Sequence, residues 1–198
     1  MTLAIISHTE HYTLADGSIV GWGPTVNEIN HLLEVFDTIY HLAMHHEGPA
    51  PQSTMAYASE RIQFIALPSV GGKRIKDKLG VVMQAPKVIS MVSKTLKKVD
   101  YFQLRTPTGI GVFLIPYLTL FSKRQGWYKY AGNWNQEEPP LGYRLQRFVL
   151  KHQSRKVTIN GHWMHQPKHH LSFENPCLTD EDIQLGHDLR TKKHIKGP

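Results

Sequence analysis

Short apolar segments alternate with helix-like segments along the whole chain, and this alternation restricts the fold more than any other feature of the sequence. The first segment, LAIIS at residues 3–7, is almost wholly apolar, which is typical of a strand buried on both faces of a parallel sheet. Alternation of such strands with helices predicts a parallel sheet that carries helices on both faces. The six predicted strands cover residues 3–7, 38–44, 61–68, 100–107, 126–134 and 156–161.

Helix-like periodicity fills most of the intervals between the predicted strands. The first helix begins at Pro24, a residue suited to the first helical position, with Gly23 as its cap. In the last long helix, Leu145, Phe148 and Val149 are spaced to face inward. The predicted helices cover residues 24–36, 73–99 with a break at Pro86, 109–122 with a bend at Pro116, 141–153, and a short segment, 178–190, that Thr179 would cap.

The stretch GWGPTVNE, residues 21–28, is the most distinctive candidate for a ligand loop. A glycine turn that leads into a helix offers free backbone N–H groups and the positive end of the helix dipole, which suits a phosphate. The stretch does not match the dinucleotide fingerprint, because Val26 stands where a third glycine is needed and no strand directly precedes it. The alternative is a plain turn with Trp22 packed inward.

Basic residues are concentrated in the middle of the chain. Residues 1–60 carry a formal charge of −7, residues 61–160 carry +14 and residues 161–198 carry zero, for a net charge of +7. A basic face attracts nucleic acid, anionic lipid headgroups or phosphorylated small molecules, and a solvated helix face is the alternative. Since no nucleic-acid-binding motif is present, we expect no specific nucleic-acid partner. The residues predicted to form a basic membrane surface are Lys73, Arg74, Lys76, Lys78, Lys94, Lys97 and Lys98.

The cysteine and histidine residues indicate which cellular compartment to expect and whether a metal site is present. Cys177 is the single cysteine, so an internal disulfide is excluded and a reducing, cytoplasmic compartment is expected. A predicted loop holds His162, His165, His169 and His170, but their spacing matches no known ligand pattern, so we predict surface histidines and no metal site. No segment reaches the roughly 20 apolar residues of a membrane span, so any membrane association is expected to be peripheral, on the inner face.

Five segments, taken in chain order, carry a resemblance to a known family. They are SHTEHY…GWGPTVNEINHLLEVFDTIYHLA, FIALPSVGG, VDYFQLRTPTGIGVFLIPYL, WYKYAGNWNQ…YRLQRFVLK and VTINGHW. The most specific pieces are DYFQLRTPTGIG, YKYAGNW with RLQR, and VTINGHW. Together they resemble the N-terminal half of a family 4 glycosyltransferase of the GT-B type, from residue 1 to about residue 178.

The resemblance implies a Rossmann-like parallel sheet with helices on both faces. It implies a single domain at residues 1–178, half of a GT-B architecture, and a helical tail at residues 179–198 that leads toward a missing C-terminal domain. Such a half binds the acceptor, whereas the C-terminal half mainly binds the nucleotide-sugar donor, so no cofactor is expected in this chain. The implied function is transfer of a sugar to an acceptor hydroxyl. The alternative is a basic binding module at an anionic membrane surface, without catalysis of its own.

By the same resemblance, residues at the ends of the strands would line the cleft that receives a sugar or a lipid-linked acceptor. Arg105 would contact an anionic or hydroxyl-rich acceptor, and an ion pair to a neighbouring strand is its alternative. Many relatives carry a histidine at the end of the fifth strand, where this chain has Asn133 and Trp134, so no catalytic residue is identified. The expected cleft residues are His8, Gly21, Trp22, Gly23, Pro24, Arg105, Asn133, Trp134 and His162.

Overall fold

The computed structural model describes residues 1–69, 75–173 and 180–192, and within the helices it leaves out the side chains of residues 75–79, 182, 191 and 192. Several predictions fall outside that part. The predicted basic residues Lys73 and Arg74 and the predicted cap Thr179 lie outside the described residues, as do Cys177 and the side chains of Lys76 and Lys78.

Nine described strands form one mixed sheet. Seven of them are mutually parallel in the spatial order β5-β3-β1-β6-β7-β8-β9, and β2 and β4 extend the sheet with antiparallel pairs next to β1. The strands are β1 (Thr2–Thr13), β2 (Ile19–Trp22), β3 (Thr38–His45), β4 (Thr54–Ala56), β5 (Ile62–Leu67), β6 (Tyr101–Thr106), β7 (Gln125–Tyr130), β8 (Val157–Asn160) and β9 (His170–Phe173).

The strand order makes the sheet doubly wound, because the chain moves outward from β1 through β3 to β5 and then returns to the other side of β1. The predicted α/β class with a mostly parallel sheet and a single domain is therefore confirmed. The helices are α1 (Gly23–His31), followed by a 3₁₀ turn (Leu32–Glu34), α2 (Ile75–Leu96), α3 (Gly111–Phe121), α4 (Leu141–Lys151) and α5 (Asp180–Lys192).

Two apolar clusters cover the two faces of β1, as alternation along a strand requires. Ala4 and Ile6 lie in the larger cluster with buried residues of α2, α3 and α4, whereas Leu3 and Ile5 lie in the smaller cluster with Ile29 of α1. All four of these strand side chains are fully buried. The apolar run predicted to be buried on both faces therefore forms the centre of the sheet.

The segment after residue 7 departs from the prediction, because the first strand was predicted to end there. β1 instead continues to Thr13, where Tyr12 pairs with Val20 of β2 in an antiparallel hairpin. The GWG stretch is therefore partly strand, since Gly21 and Trp22 end β2 and α1 begins at Gly23. Strands β4 and β9 were not predicted, and β7 ends at Tyr130 instead of Trp134.

The predicted inward face of α4 is also corrected. Leu145 and Phe148 are exposed, with 48% and 60% of their surface accessible, whereas Leu150 is fully buried. Only Val149, of the three residues predicted to face inward, packs against the core. The apolar residues of α4 are distributed around two sides of the helix, so periodicity alone did not identify the side that faces the sheet.

Candidate functional site

A cleft opens at the carboxyl ends of β1 and β6, where the direction of winding reverses. A crevice forms at such a switch point because the connections from the two strands leave toward opposite faces of the sheet. The cleft has a volume of about 610 Å³, within the range of small-molecule sites. Its walls come from the end of β1, the start of α1, and the loops that follow β6 and β7.

β1 loses its register with β3 beside this cleft. Ile6 pairs with Leu42 and Glu10 with Met44, so β1 advances four residues while β3 advances two. The bulge places Ser7, His8 and Thr9 in the cleft wall. Bulges often re-aim side chains next to functional sites, and here one interrupts the pairing where the cleft opens.

Three of the predicted cleft residues meet in this cleft: His8 from β1, Trp22 from the end of β2, and Arg105 from β6. The indole of Trp22 is 51% exposed, which contradicts the alternative of a tryptophan packed inward. α1 begins directly after it, and among the described residues no side chain caps its first turn. Pro24 occupies the second helical position of α1, where a backbone N–H is not needed.

The two glycines of the GWG stretch have packing roles that the sequence did not reveal. A Cβ on Gly21 would lie 2.3 Å from Nε2 of His11, its cross-strand neighbour, so only glycine leaves room for that ring. A Cβ on Gly23 would lie 2.9 Å from the carbonyl oxygen of Ser53, which accepts a hydrogen bond from the Gly23 N–H. Both glycines therefore permit close packing of the hairpin beside the cleft.

The remaining predicted residues lie elsewhere. Trp134 is buried in the larger apolar cluster, where its indole contacts the rings of Tyr130 and His170 edge-on. Asn133 is exposed, and its side-chain oxygen accepts a hydrogen bond from the Asn135 N–H. His162 is exposed in the turn after β8. None of the three is among the residues that line the cleft in the described part of the chain.

A buried ionic cluster underlies one wall of the cleft. Glu28 of α1 pairs with Arg105 of β6, with Oε2 2.5 Å from Nη2, and it also accepts a hydrogen bond from Nζ of Lys129 on β7. The Arg105 Nε donates to Oε1 of Gln103 at 3.1 Å. The ion pair considered as the alternative for Arg105 is therefore present, but its partner lies on a helix instead of a strand.

Burial and charge act in opposite directions on Glu28. Burial by itself raises the pKa of this carboxyl, but the adjacent Arg105 and Lys129 cations outweigh burial and hold the pKa below its ordinary value. Glu28 is therefore a fixed anion at neutral pH. It holds the guanidinium of Arg105 at the cleft wall and ties α1 to two strands of the sheet.

A second buried polar cluster leads away from the cleft at Ser7. The Ser7 Oγ lies 2.8 Å from Nε2 of His41, and Nδ1 of His41 lies 2.7 Å from the hydroxyl oxygen of Tyr57. The same hydroxyl oxygen lies 2.8 Å from Nε2 of His11, whose Nδ1 lies 3.0 Å from the carbonyl oxygen of Thr9. We call this chain of contacts the Ser7–His11 relay. Both histidine rings are fully buried.

The environment of the relay keeps both imidazoles neutral. Burial lowers the pKa of His11 to about 4, against a smaller opposing effect of its hydrogen bond to Thr9, and His45 and His46 add to the lowering. Burial also lowers the pKa of His41 well below its ordinary value, and the nearby His11 and Arg105 act in the same direction. Burial raises the pKa of Tyr57. The relay is therefore uncharged at neutral pH.

The sequence contains one weak signal for this relay. His41 lies in the middle of the apolar run TIYHLAM, and a buried polar side chain inside a strand must find hydrogen-bond partners. The identity of those partners depends on the β1 bulge and on the position of Tyr57, which no local pattern specifies.

Two of the four histidines considered as zinc ligands contact the backbone, and His170 is buried, although it was predicted to lie on the surface. Nε2 of His169 and Nε2 of His170 lie 2.9 and 3.3 Å from the carbonyl oxygen of Leu150, so both rings donate to the end of α4. No group of three or more metal-ligating side chains occurs among residues 1–69, 75–173 and 180–192.

The predicted basic surface is divided along α2. Lys94, Lys97 and Lys98 are exposed near the end of this helix, whereas Lys76 and Lys78 belong to its first turn, about 25 Å away at 1.5 Å per residue. No helix in the described part of the chain is both long enough and apolar enough to cross a bilayer.

No family model matches this sequence, and no curated protein matches it. Among solved structures, the chain is similar to a UDP-GlcNAc 2-epimerase from Methanocaldococcus jannaschii, with 14% sequence identity and a TM-score of 0.42. The match covers 81% of this chain and 40% of the epimerase chain, so this chain spans less than half the length of that protein. A likeness of this size says nothing about activity.

Proposed function

We propose that this chain is the acceptor-binding half of a glycosyltransferase that moves a sugar from a nucleotide-sugar to an acceptor hydroxyl. The observation that carries the proposal is the open cleft of about 610 Å³ at the switch point of a doubly wound sheet. The ordered motifs that resemble family 4 glycosyltransferases of the GT-B type support it, because three residues expected at the cleft line it together.

The cleft offers two kinds of contact to a sugar-like acceptor. Trp22 presents half of its indole surface at the rim, and an exposed aromatic ring can pack against the apolar face of a sugar. Arg105, Ser7, Thr25 and Thr108 are polar residues of the cleft walls, and the first three expose less than a tenth of their surface. A mostly apolar lining with a few convergent polar groups is typical of small-ligand sites.

Calorimetric titration of a panel of UDP- and GDP-sugars tests the division between acceptor and donor halves. We expect weak or no binding to the 198-residue chain alone and clear binding after a candidate C-terminal half is added. Tight binding to the chain alone would place the donor site here and contradict the two-half proposal.

Saturation-transfer NMR with a panel of monosaccharides and oligosaccharides tests the acceptor site directly. Trp22→Ala removes the exposed ring at the cleft rim, and we expect the signals of any bound sugar to fall at least fivefold. Val35→Ala is the matched control, because Val35 is 56% exposed and lies outside the residues that line the cleft. Equal signals for the two variants would contradict the assignment of acceptor binding to this cleft.

An anionic membrane surface remains a second candidate partner, favoured by a patch at the amino edge of the sheet. The ends of α2 and α3 approach each other there, because the Arg124 guanidinium donates to the Lys97 carbonyl oxygen. The Arg155 guanidinium, beyond the end of α4, donates to the Ser122 carbonyl oxygen at the end of α3. We call the exposed apolar and basic side chains of these three helix ends the amino-edge patch. Its apolar members are 60–74% exposed. The patch consists of Leu120, Phe121 and Phe148 with Lys94, Lys97, Lys98, Lys123, Arg124 and Lys151.

The expected occupant is an anionic bilayer, since basic groups are attracted to acidic headgroups while exposed apolar rings enter the interface. Co-sedimentation with vesicles of phosphatidylcholine alone and with added phosphatidylglycerol tests this. We expect binding only to the anionic vesicles, weakened by salt and by the double change Phe121→Ser and Phe148→Ser. Val35→Ser is the control, and equal binding to both vesicle types would exclude this partner.

A further inference from the structure

In the Ser7–His11 relay, only one assignment of donor and acceptor to each hydrogen bond is consistent with the geometry and the chemistry. The carbonyl oxygen of Thr9 can only accept, so the Nδ1 of His11 carries the hydrogen. Because the ring is neutral, its Nε2 is an acceptor and receives the hydroxyl hydrogen of Tyr57. Tyr57 has one hydroxyl hydrogen, and it is committed to His11.

The same reasoning fixes the other half of the relay. The Tyr57 oxygen accepts from Nδ1 of His41, which leaves Nε2 of the neutral His41 as an acceptor. The Ser7 hydroxyl therefore donates to Nε2 at 2.8 Å. The Thr9 N–H donates to the Ser7 oxygen at 3.3 Å, so that oxygen retains one lone pair for a further donor.

Ser7 lies where the relay meets the cleft. It stands at the β1 bulge and is one of the residues that line the cleft, together with Arg105 and Thr106, and 1% of its surface is exposed. A ligand hydroxyl bound there finds an oxygen that accepts its proton while a neutral imidazole stands behind that oxygen. A serine backed by a histidine base is the arrangement that activates hydroxyl groups in enzymes.

We propose that Ser7 is a catalytic residue that takes the proton of the acceptor hydroxyl and passes its own proton to Nε2 of His41 in the same step. This inference rests on the proposed sugar transfer. The acceptor oxygen forms a bond to the anomeric carbon of the nucleotide-sugar as the bond from that carbon to the diphosphate breaks. The electron pair of the broken bond leaves with the diphosphate.

The relay then carries the positive charge away from Arg105. The Nδ1 proton of His41 passes to the Tyr57 oxygen, and the Tyr57 proton passes to Nε2 of His11. The resulting imidazolium of His11 keeps its Nδ1–H bonded to the Thr9 carbonyl oxygen, which offsets part of the burial that lowers the pKa of this ring to about 4. The proton returns to solvent after the product leaves. His41, Tyr57 and His11 are positioning residues, since they act through Ser7.

Long-range proton–nitrogen NMR of the histidine side chains in the 198-residue chain tests the direction of the relay. At pH 7 we expect both His11 and His41 to be neutral, with the hydrogen on Nδ1 and Nε2 free. Tyr57→Phe should alter the ring nitrogen shifts of both histidines. Tyr12→Phe is the control, because the Tyr12 hydroxyl bonds to Glu10 outside the relay. A hydrogen on Nε2 of His41 would overturn the proposal, since Ser7 could not then pass its proton on.

A fluorophosphonate probe tests the reactivity of Ser7 without any sugar substrate. The Ser7 oxygen would form a bond to phosphorus as fluoride leaves and the hydroxyl proton moves to His41. We expect peptide mass spectrometry to show Ser7 labelled at least tenfold faster than Ser53, another serine of the same cleft wall. His41→Gln should reduce Ser7 labelling at least tenfold.

His45→Gln is the matched control for that substitution, because His45 Nε2 also lies 2.8 Å from a hydroxyl, that of Thr13, but outside the relay. Labelling of Ser7 that is no faster than labelling of Ser53, or that does not depend on His41, would overturn the proposal. Neither the NMR nor the labelling experiment uses a sugar, so their failure is distinct from a failure of the nucleotide-sugar titrations.

Discussion

At the scale of single residues, the cleft is shaped by polar side chains that are buried in the sheet and hydrogen-bonded there. His41 could be predicted to lie in a strand, because the surrounding TIYHLAM run is apolar. Its partners could not, since Ser7, Tyr57 and His11 approach it through a bulge and a hairpin that depend on the tertiary fold. The tight contact of Gly21 with His11 was hidden for the same reason.

The buried histidines predict a loss of stability in mild acid. Between the ordinary histidine pKa of 6.5 and the folded-state pKa of His11 of about 4, the unfolded chain binds more protons than the folded chain. The free energy of unfolding therefore falls as the pH falls through this window, by roughly 3 kcal/mol from His11 alone, and His41 acts in the same direction.

Urea denaturation at pH 7.5, 6.0 and 5.0 measures this loss. We expect His11→Gln to flatten the pH dependence, whereas His31→Gln, an exposed histidine at the end of α1, should leave it unchanged. A wild-type stability that is constant over this range would show that the two rings are not held neutral by folding.

Gly21 gives a second prediction at this scale. Gly21→Ala places a Cβ against the His11 ring, and we expect a loss of about 1–3 kcal/mol from overpacking. Gly80→Ala is the matched control, because its Cβ meets no atom within 4 Å and alanine favours a helix. Denaturant unfolding of the two variants should change in opposite directions, and equal losses would refute the packing role of Gly21.

At the scale of elements, the pattern of apolar residues predicted the helices and the central strands, but it did not predict the short strands. β3, β5 and β6 agree with their predicted spans to within two residues at each end, because continuous apolar runs mark buried parallel strands. β4 and β9 are short, with three and four residues, and segments of this length are too short to show a periodic pattern. Tertiary pairing creates them.

Helix α4 has apolar side chains both on the side that faces the sheet and on the side that faces solvent. Leu150 is fully buried against the sheet, and Leu150→Ala should cost about 2–5 kcal/mol through lost burial and the cavity left behind. Phe148 is 60% exposed on the other side, and Phe148→Ala should change stability by less than about 0.5 kcal/mol. Thermal and denaturant unfolding compare the two, and a large loss for Phe148→Ala would contradict its exposed position.

At the scale of the whole molecule, the Glu28 cluster joins the layer of α1 to the carboxyl end of the sheet. Glu28 reaches Arg105 and Lys129, which lie 77 and 101 residues later in the chain. The sequence shows an acid on the polar face of a helix and basic residues in two strands, but no pattern in it predicts that these side chains contact one another. Only the doubly wound order brings these three residues together.

Removal of the Glu28 charge should therefore destabilise the fold. Glu28→Gln keeps the shape of the side chain but leaves the two cations without this carboxylate, and we expect a loss of about 3–5 kcal/mol at pH 7. Glu34→Gln is the control, because Glu34 is exposed in the turn after α1. Denaturant unfolding measures both, and a loss below about 1 kcal/mol for Glu28→Gln would mean that the cluster is not a structural tie.

The central position of β1 has a consequence for how the protein is made. β1 is synthesised well before β6, yet its pairing with β6 aligns Leu3 with Tyr101, and the hydrogen bond from the Thr2 N–H to Asp100 spans 98 residues. At about 5–20 residues per second, a ribosome needs several seconds to supply that partner. Until then the apolar strand has one open edge, so a nascent chain that stalls before β6 is complete exposes a site for aggregation or for chaperone binding.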